Sequence, residues 1–133
     1  MADAAKLLRV LFDCLATDPA RCRTLMADDV TVEFPYAPSL GQPERMVGID
    51  ATFSEFVHFF ENFDQVQISQ VRMHPLKEEP DSVFAEAVLR ATYKPSGVRF
   101  EQHLAFLVKA RGGKIAMFRE YFDPQVYANA FGA

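Results

Sequence analysis

Two long, strand-like runs meet at Gly112-Gly113, and that junction constrains everything around it. Residues 100–124 read FEQHLAFLVKARGGKIAMFREYFDP. Adjacent glycines supply the positive φ that short hairpin loops demand, so Phe100–Ala110 and Ile115–Phe122 are expected to fold back as an antiparallel pair. Setting Ala110 opposite Ile115 puts Val108 opposite Met117, Ala105 opposite Glu120 and His103 opposite Phe122. Side chains alternate faces along a strand. Glu101, His103, Phe118, Glu120 and Phe122 then share one face, and Leu104, Phe106, Val108, Met117 and Arg119 share the other. A slip of one residue would exchange the faces of the slipped strand.

The same reasoning extends upstream. Val83–Tyr93 is a further strand, closed by the turn KPSG (94–97). Pairing Tyr93 with Val98 sets Arg90 opposite Glu101, Val88 opposite His103 and Glu86 opposite Ala105. Val66–Met73 precedes it as a strand that His74-Pro75 ends or bends, with KEEPDS (77–82) as an exposed turn. Nearer the start, Leu7, Leu8, Leu11, Phe12 and Leu15 carry helical spacing over Asp3–Ala16. Asp18-Pro19 begins a second short helix, as N-cap and first helical residue, ending near Met26. Asp28-Asp29 reads as a turn and Val30–Phe34 as a strand. Tyr36–Val47 is an apolar loop expected to lie over the mouth of something. Ile49–Asn62 is a third helix with a broad stripe of Phe53, Phe56, Val57, Phe60 and Phe63; His58 falls opposite that stripe, in solvent or at an interface. A short terminal helix or tail covers Gln125–Phe131. Helices and strands are segregated, the α+β pattern: a strongly curved, mostly antiparallel sheet wrapped around three N-terminal helices, leaving an internal pocket.

At 133 residues this is one domain spanning 1–133. Thirteen Phe and no Trp suggest a core or pocket of flat, apolar rings. A net charge of −4 argues against nucleic acid, which needs a basic footprint. No apolar run approaches a membrane span, and the N-terminal MADAAKLLRVLF does not resemble a secretory leader, so a cytoplasmic protein is expected. Cys14 and Cys22 lack metal-ligand spacing. A metal site of His103, Glu86 and Glu120 is conceivable from residue types, but no compact spacing supports it, and neither metal nor cofactor is expected.

The chemistry-bearing residues concentrate on one sheet face. Glu86, Arg90, Glu101, His103 and Glu120 point to the same side in the register above. The opposite side (Ala85, Ala87, Leu89, Ala91, Leu104, Phe106, Val108) is almost wholly apolar. Two arrangements are open. Either the apolar face meets the helices and the charged face is solvated, or the charged face lines a pocket with Phe118 and Phe122 while the apolar face packs on a second subunit. A carboxyl group in a Phe-lined pocket has its pKa raised by desolvation, which suits a general acid or base near neutral pH.

GGKIAMFREYFDP (112–124), EFPYAP (33–38) and ERMVG (44–48) resemble the SnoaL-like polyketide cyclase and ketosteroid-isomerase group of the NTF2-like superfamily. The closing FREYFDP is most similar to the phenazine-biosynthesis branch. This resemblance implies a cone-shaped α+β barrel with catalytic groups inside the cone, and a homodimer formed through the apolar outer sheet face. It favours the second arrangement, and it matches Glu120 to a pocket Glu of that branch. The ketosteroid-isomerase Asp position falls on His103 or Ala105, and the phenazine-branch pocket His falls on Glu55, so neither of those specific activities is implied. The expected catalytic residues are Glu120, aided by His103 or Glu86. Tyr36, Phe56, Phe60, Arg90, Glu101, Phe118 and Phe122 are the expected substrate contacts, with Arg90 and Glu101 also able to pair at the cone mouth. Three functions remain open: an enzyme doing acid/base chemistry on a hydrophobic, ring-containing small molecule; a small-ligand carrier; or a dimeric interaction module with a vestigial pocket.

Overall fold

The computed structural model describes residues 3–132. Helix α1 (Ala4–Cys14) opens with Asp3, whose carboxylate accepts from the Lys6 amide at 2.9 Å, satisfying one of the free N–H groups of the first turn. Its buried face is Ala4, Leu7, Leu8, Leu11 and Cys14. Helix α2 (Pro19–Thr24) is capped by Asp18, with Pro19 in the first turn, where a missing N–H costs nothing. Strand β1 (Met26–Glu33) follows, then a 3₁₀ turn (Ala37–Leu40), strand β2 (Arg45–Val47) and helix α3 (Ile49–Glu61). Gly48 enters α3 at φ 97° and donates to the Val30 carbonyl at 2.8 Å, which ties the helix start to β1. Strands β3 (Phe63–Leu76), β4 (Glu79–Tyr93), β5 (Val98–Arg111) and β6 (Lys114–Tyr121) lead into helix α4 (Pro124–Gly132).

The strands form one six-stranded sheet in the order β2-β1-β6-β5-β4-β3. It is mixed, because β1 runs parallel to β6 (Val32 beside Phe118) while the other pairs are antiparallel. It is also open, with β2 and β3 as its edges. Several boundaries differ from expectation. Asp28-Asp29 lies within β1 rather than in a turn, at an irregularity in its pairing with β6. The expected loop 36–47 contains the 3₁₀ turn and β2. Strands β3 and β4 continue through 74–76 and 79–82, leaving Lys77-Glu78 as the turn. Pro75 is accommodated because β3 is an edge strand. Bulges near Gln65 and Gln70, both at φ near 50°, bend that strand.

The β4–β5 register is the one expected: Arg90 opposite Glu101, Val88 opposite His103, Glu86 opposite Ala105. The β5–β6 register is not. Gly112 and Gly113 turn at φ 59° and 76°, and Ala110 does face Ile115. The next pair, however, is Lys109 with Met117, so Ala116 is an extra, bulged residue. From there on the strand is shifted by one: Val108 faces Phe118, Phe106 faces Glu120 and Ala105 faces Tyr121.

The apolar face of the sheet is the inner one. Ala85, Ala87, Leu89, Leu104, Phe106 and Val108 are buried, beneath α1, which crosses β3 to β6. Phe12 of α1 packs on Phe106 with ring centroids 5.1 Å apart. That face is therefore covered within the chain and is not available to a second subunit as expected. No helix among the described residues is long and apolar enough to cross a membrane.

Candidate active site

A cavity of about 300 Å³ lies between the inner sheet face, α3 and α4, at the small end of the range that holds organic ligands. Its floor is Phe106 and Phe118, 5.6 Å apart between centroids, with Phe56 of α3 edge-on to Phe118 at 5.9 Å. Helix α3 buries only Thr52 completely. Its rings Phe56, Phe59 and Phe60 line the cavity instead, so a stripe that reads as core is largely pocket wall. Leu40, Gln42, Pro43 and Met46, from the segment after β1, also line it.

Glu120 projects into this space from β6. It is half-buried, and what remains accessible faces the cavity. Burial alone raises its carboxyl pKa from 4.5 to about 8, because a desolvated carboxylate is disfavoured relative to the neutral acid. No hydrogen-bond donor or positive charge among the described residues offsets that burial.

Tyr127, which nothing in the sequence marks as a site residue, is a further polar group lining the cavity. It is buried at 3 % exposure, and its phenol pKa is raised well above 10, first by burial and then by the nearby Glu120 charge. Helix α4 delivers it. The buried Gln102 side chain donates to the Asp123 carbonyl at 2.8 Å and accepts from the Asp123 amide at 2.9 Å, fixing the chain where α4 begins. Tyr127 then stacks on Phe131 and meets Phe122 at 5.1 Å. The only advance signal was its position in an apolar tail, which does not separate a site residue from packing.

The expected constellation divides between the two faces. Glu120, Phe56, Phe60, Phe118 and Phe122 line the cavity. Glu86, His103, Arg90 and Glu101 lie on the outer face, and the Ala116 bulge on β6 turns Glu120 away from them. Arg90 and Glu101 pair at 2.5 Å, and Arg90 first, then His103, holds the Glu101 carboxyl below its ordinary value. His103 sits 3.4 Å from Glu101, and His74 sits 3.6 Å from Glu86. Glu86 and His103 border a small polar cleft of about 180 Å³ on that outer face, with Arg72 and Gln70. Tyr36 is half exposed and packs edge-on against Tyr121 at 5.9 Å, outside the cavity. His58 is exposed, as expected, but it also borders the cavity, as does Glu55. Among the described residues no group of three His, Cys, Asp or Glu is arranged to hold a metal.

Comparison with known proteins follows the same lines. A profile of the SnoaL-like domain matches residues 8–118. The Bacillus subtilis protein YesE, itself uncharacterized, is 28 % identical over 110 residues, covering 81 % of this chain and 72 % of that one. A B. subtilis crystal structure provisionally named an isomerase superposes with a TM-score of 0.89 at 24 % identity, covering 97 % of this chain and 92 % of the other. A phenazine biosynthesis-related protein from Pseudomonas aeruginosa gives 0.82 at 16 % identity, over 97 % and 80 %. At those identities the structural likeness establishes the fold alone.

Proposed function

The chain belongs to the SnoaL-like domain family, within the NTF2-like fold, and from that membership we propose an enzyme that moves a proton on a hydrophobic, ring-containing small molecule, with Glu120 as the acid/base group. One observation carries the reading: a carboxyl group with a pKa of about 8 stands in an apolar cavity with no internal partner. Near neutral pH such a group is populated in both protonation states, the condition under which a side chain both accepts and returns a proton efficiently. As a carboxylate it is poorly solvated, which strengthens it as a base. Tyr127 supplies a hydroxyl beside it, suited to donating to a substrate oxygen that gains charge as the proton leaves. The aromatic walls exclude water and hold a flat ring by contact. Isomerisation, cyclisation and dehydration all reduce to this step.

Two features favour catalysis over the other readings. A carrier of neutral ligands has no need of an uncompensated carboxyl group at the floor of its cavity, and a vestigial pocket would be filled by its own rings, whereas this one retains about 300 Å³.

The test uses a substrate that reports on a desolvated base and needs nothing else. In 5-nitrobenzisoxazole, removal of the ring C–H proton sends its electron pair into a nitrile while the N–O bond breaks, giving a coloured nitrophenolate. The proton stays on Glu120 until solvent takes it. Turnover is expected to rise with pH to a plateau above about 8. Glu120→Gln is expected to lower it by about 10²–10⁴-fold, the usual worth of a positioned base. No turnover above buffer in the wild type, or a rate unchanged in Glu120→Gln, would sink the assignment.

A further inference from the structure

The distribution of charge around the sheet says more about the ligand than the volume does. Three basic side chains of the central strands sit on the outer face with acidic partners: Arg90 with Glu101, Arg119 with Glu33 at 3.5 Å, Lys109 with Glu79 at 3.6 Å. Among the described residues that line the cavity there is no Lys or Arg, and the carboxyl groups there are Glu120 at depth and Glu55 on α3. The walls are dominated by aromatic rings, including Phe12, Phe34, Phe56, Phe106, Phe118 and Tyr127.

We propose that this cavity selects a compact apolar cation, an aryl or alkyl ammonium, with Glu120 as its counter-ion and the surrounding rings as its cage. The inference rests on the reading of Glu120 as the working carboxyl group of the cavity and adds the charge class of what it works on. An aromatic ring carries a negative face that attracts organic cations, and the attraction grows when both partners are desolvated. A carboxylate among apolar walls lacks the positive charge that would stabilise it, and a cationic ligand brings that charge. An anionic ligand would meet acidic groups and electron-rich rings with nothing to neutralise it. The fold thus leaves one internal charge unsatisfied and lines the space in front of it with groups that favour the opposite sign.

The probe is benzyltrimethylammonium, a permanent cation with no titration of its own, compared with the uncharged isostere neopentylbenzene and with phenylacetate. Binding to the whole chain is followed by calorimetry across pH. The titratable groups sharing the cavity are Glu120 on β6, Tyr127 on α4, Tyr93 on β4, and Glu55 and His58 on α3. The cation is expected to bind more tightly as pH rises, by about tenfold per unit while Glu120 is still losing its proton, levelling above about pH 8. It is expected to bind about tenfold or more tighter than the isostere on the plateau, in line with desolvated cation–aromatic attraction. Glu120→Gln should flatten the profile. Equal or tighter binding of neopentylbenzene or phenylacetate, or a flat wild-type profile for the cation, overturns the proposal. Because these results come from the wild-type protein, they stand even if a variant folds poorly. Turnover of 5-nitrobenzisoxazole on the same preparation separates the two claims: turnover with no preference for the cation removes this inference and leaves Glu120 as the base.

Discussion

The side chain of Gln102 and the backbone of Asp123 exchange two hydrogen bonds, Nε2 to the carbonyl at 2.8 Å and amide to Oε1 at 2.9 Å. Gln102 is fully buried on β5, and its amide acts as a two-point clamp on the chain between β6 and α4. What hangs from that clamp is the helix that presents Tyr127 to the cavity. Gln102→Leu keeps the volume but removes both hydrogen bonds. Asp123 is itself exposed, so water can take up its freed carbonyl and N–H, and each lost bond costs about its net worth of 0.5–1.5 kcal/mol. The variant is therefore expected to lose about 1–3 kcal/mol of stability in urea denaturation, with faster amide exchange confined to 123–132. Unchanged exchange in that segment would mean that α4 is held by its ring contacts instead.

The outer face provides a complementary test. Glu86 and His103 lie on the far side of the sheet from Glu120 and make only exposed contacts. Exposed pairs contribute about 0–1 kcal/mol, and surface substitutions away from special features stay within about 0.5 kcal/mol. Glu86→Gln and His103→Ala are thus expected to fold normally and, because neither lines the cavity that holds Glu120, to turn over 5-nitrobenzisoxazole within about twofold of the wild type, about 0.4 kcal/mol in activation free energy. A loss comparable to that of Glu120→Gln would return these residues to the site.

Much of this arrangement is legible in the sequence, and one residue accounts for most of what is not. Asp3, Asp18 and Gly48 mark three helix starts that the structure contains. The four-residue turn after Tyr93 fixes the β4–β5 register across its whole length. The Gly-Gly turn fixes the first β5–β6 pair equally well, but the bulge at Ala116 then inverts every later assignment on β6. Periodicity carries no mark of an inserted residue. The available hint is energetic: without the bulge Arg119 would point into Leu104, Phe106 and Val108, an unpaired charge against apolar groups. With it, Arg119 reaches Glu33 at 3.5 Å and Phe118 enters the core. Tyr127 was illegible for a different reason. Its role depends on where Gln102 pins α4, a contact between residues 21 positions apart in sequence to Asp123.

Cys14 and Cys22 give a prediction about chemistry that does not occur. Both thiols are buried, with their sulfurs 3.0 Å apart between α1 and α2. Burial, then the hydrogen bond with Cys14, pushes the Cys22 thiol far above its ordinary pKa of 9.0. The thiolate is the nucleophile, so Cys22 is expected to resist iodoacetamide at pH 8 in the folded protein and to react on unfolding. Mass spectrometry of quenched aliquots along a urea gradient should show Cys22 alkylation following the unfolding curve. Labelling well before that transition would place Cys22 in a part of the chain that opens independently.

The dependence of stability on pH follows from Glu120 with a definite sign. Its pKa is about 8 in the folded chain and near 4.5 when exposed. Between those values the folded state keeps a proton that the unfolded chain has released, so stability falls as pH rises through the window. The limiting slope for one such group is about 1.4 kcal/mol per pH unit, and water entering the cavity reduces it. Glu101 acts in the opposite sense, since Arg90 lowers its pKa, but its loss of stability comes as pH falls into the acid range. Tyr127, raised above 10, adds a further decline only in the alkaline range. Urea midpoints measured from about pH 5 to about pH 8 should therefore fall for the wild type, with the decline attributable to one proton. Glu120→Gln has no proton to lose there, and its curve should be flatter by that amount, while the acid-range loss from Glu101 stays put. Parallel curves for the two proteins would mean that the Glu120 carboxylate is solvated in the folded state. The pKa of about 8 on which its role as a base depends would then be absent.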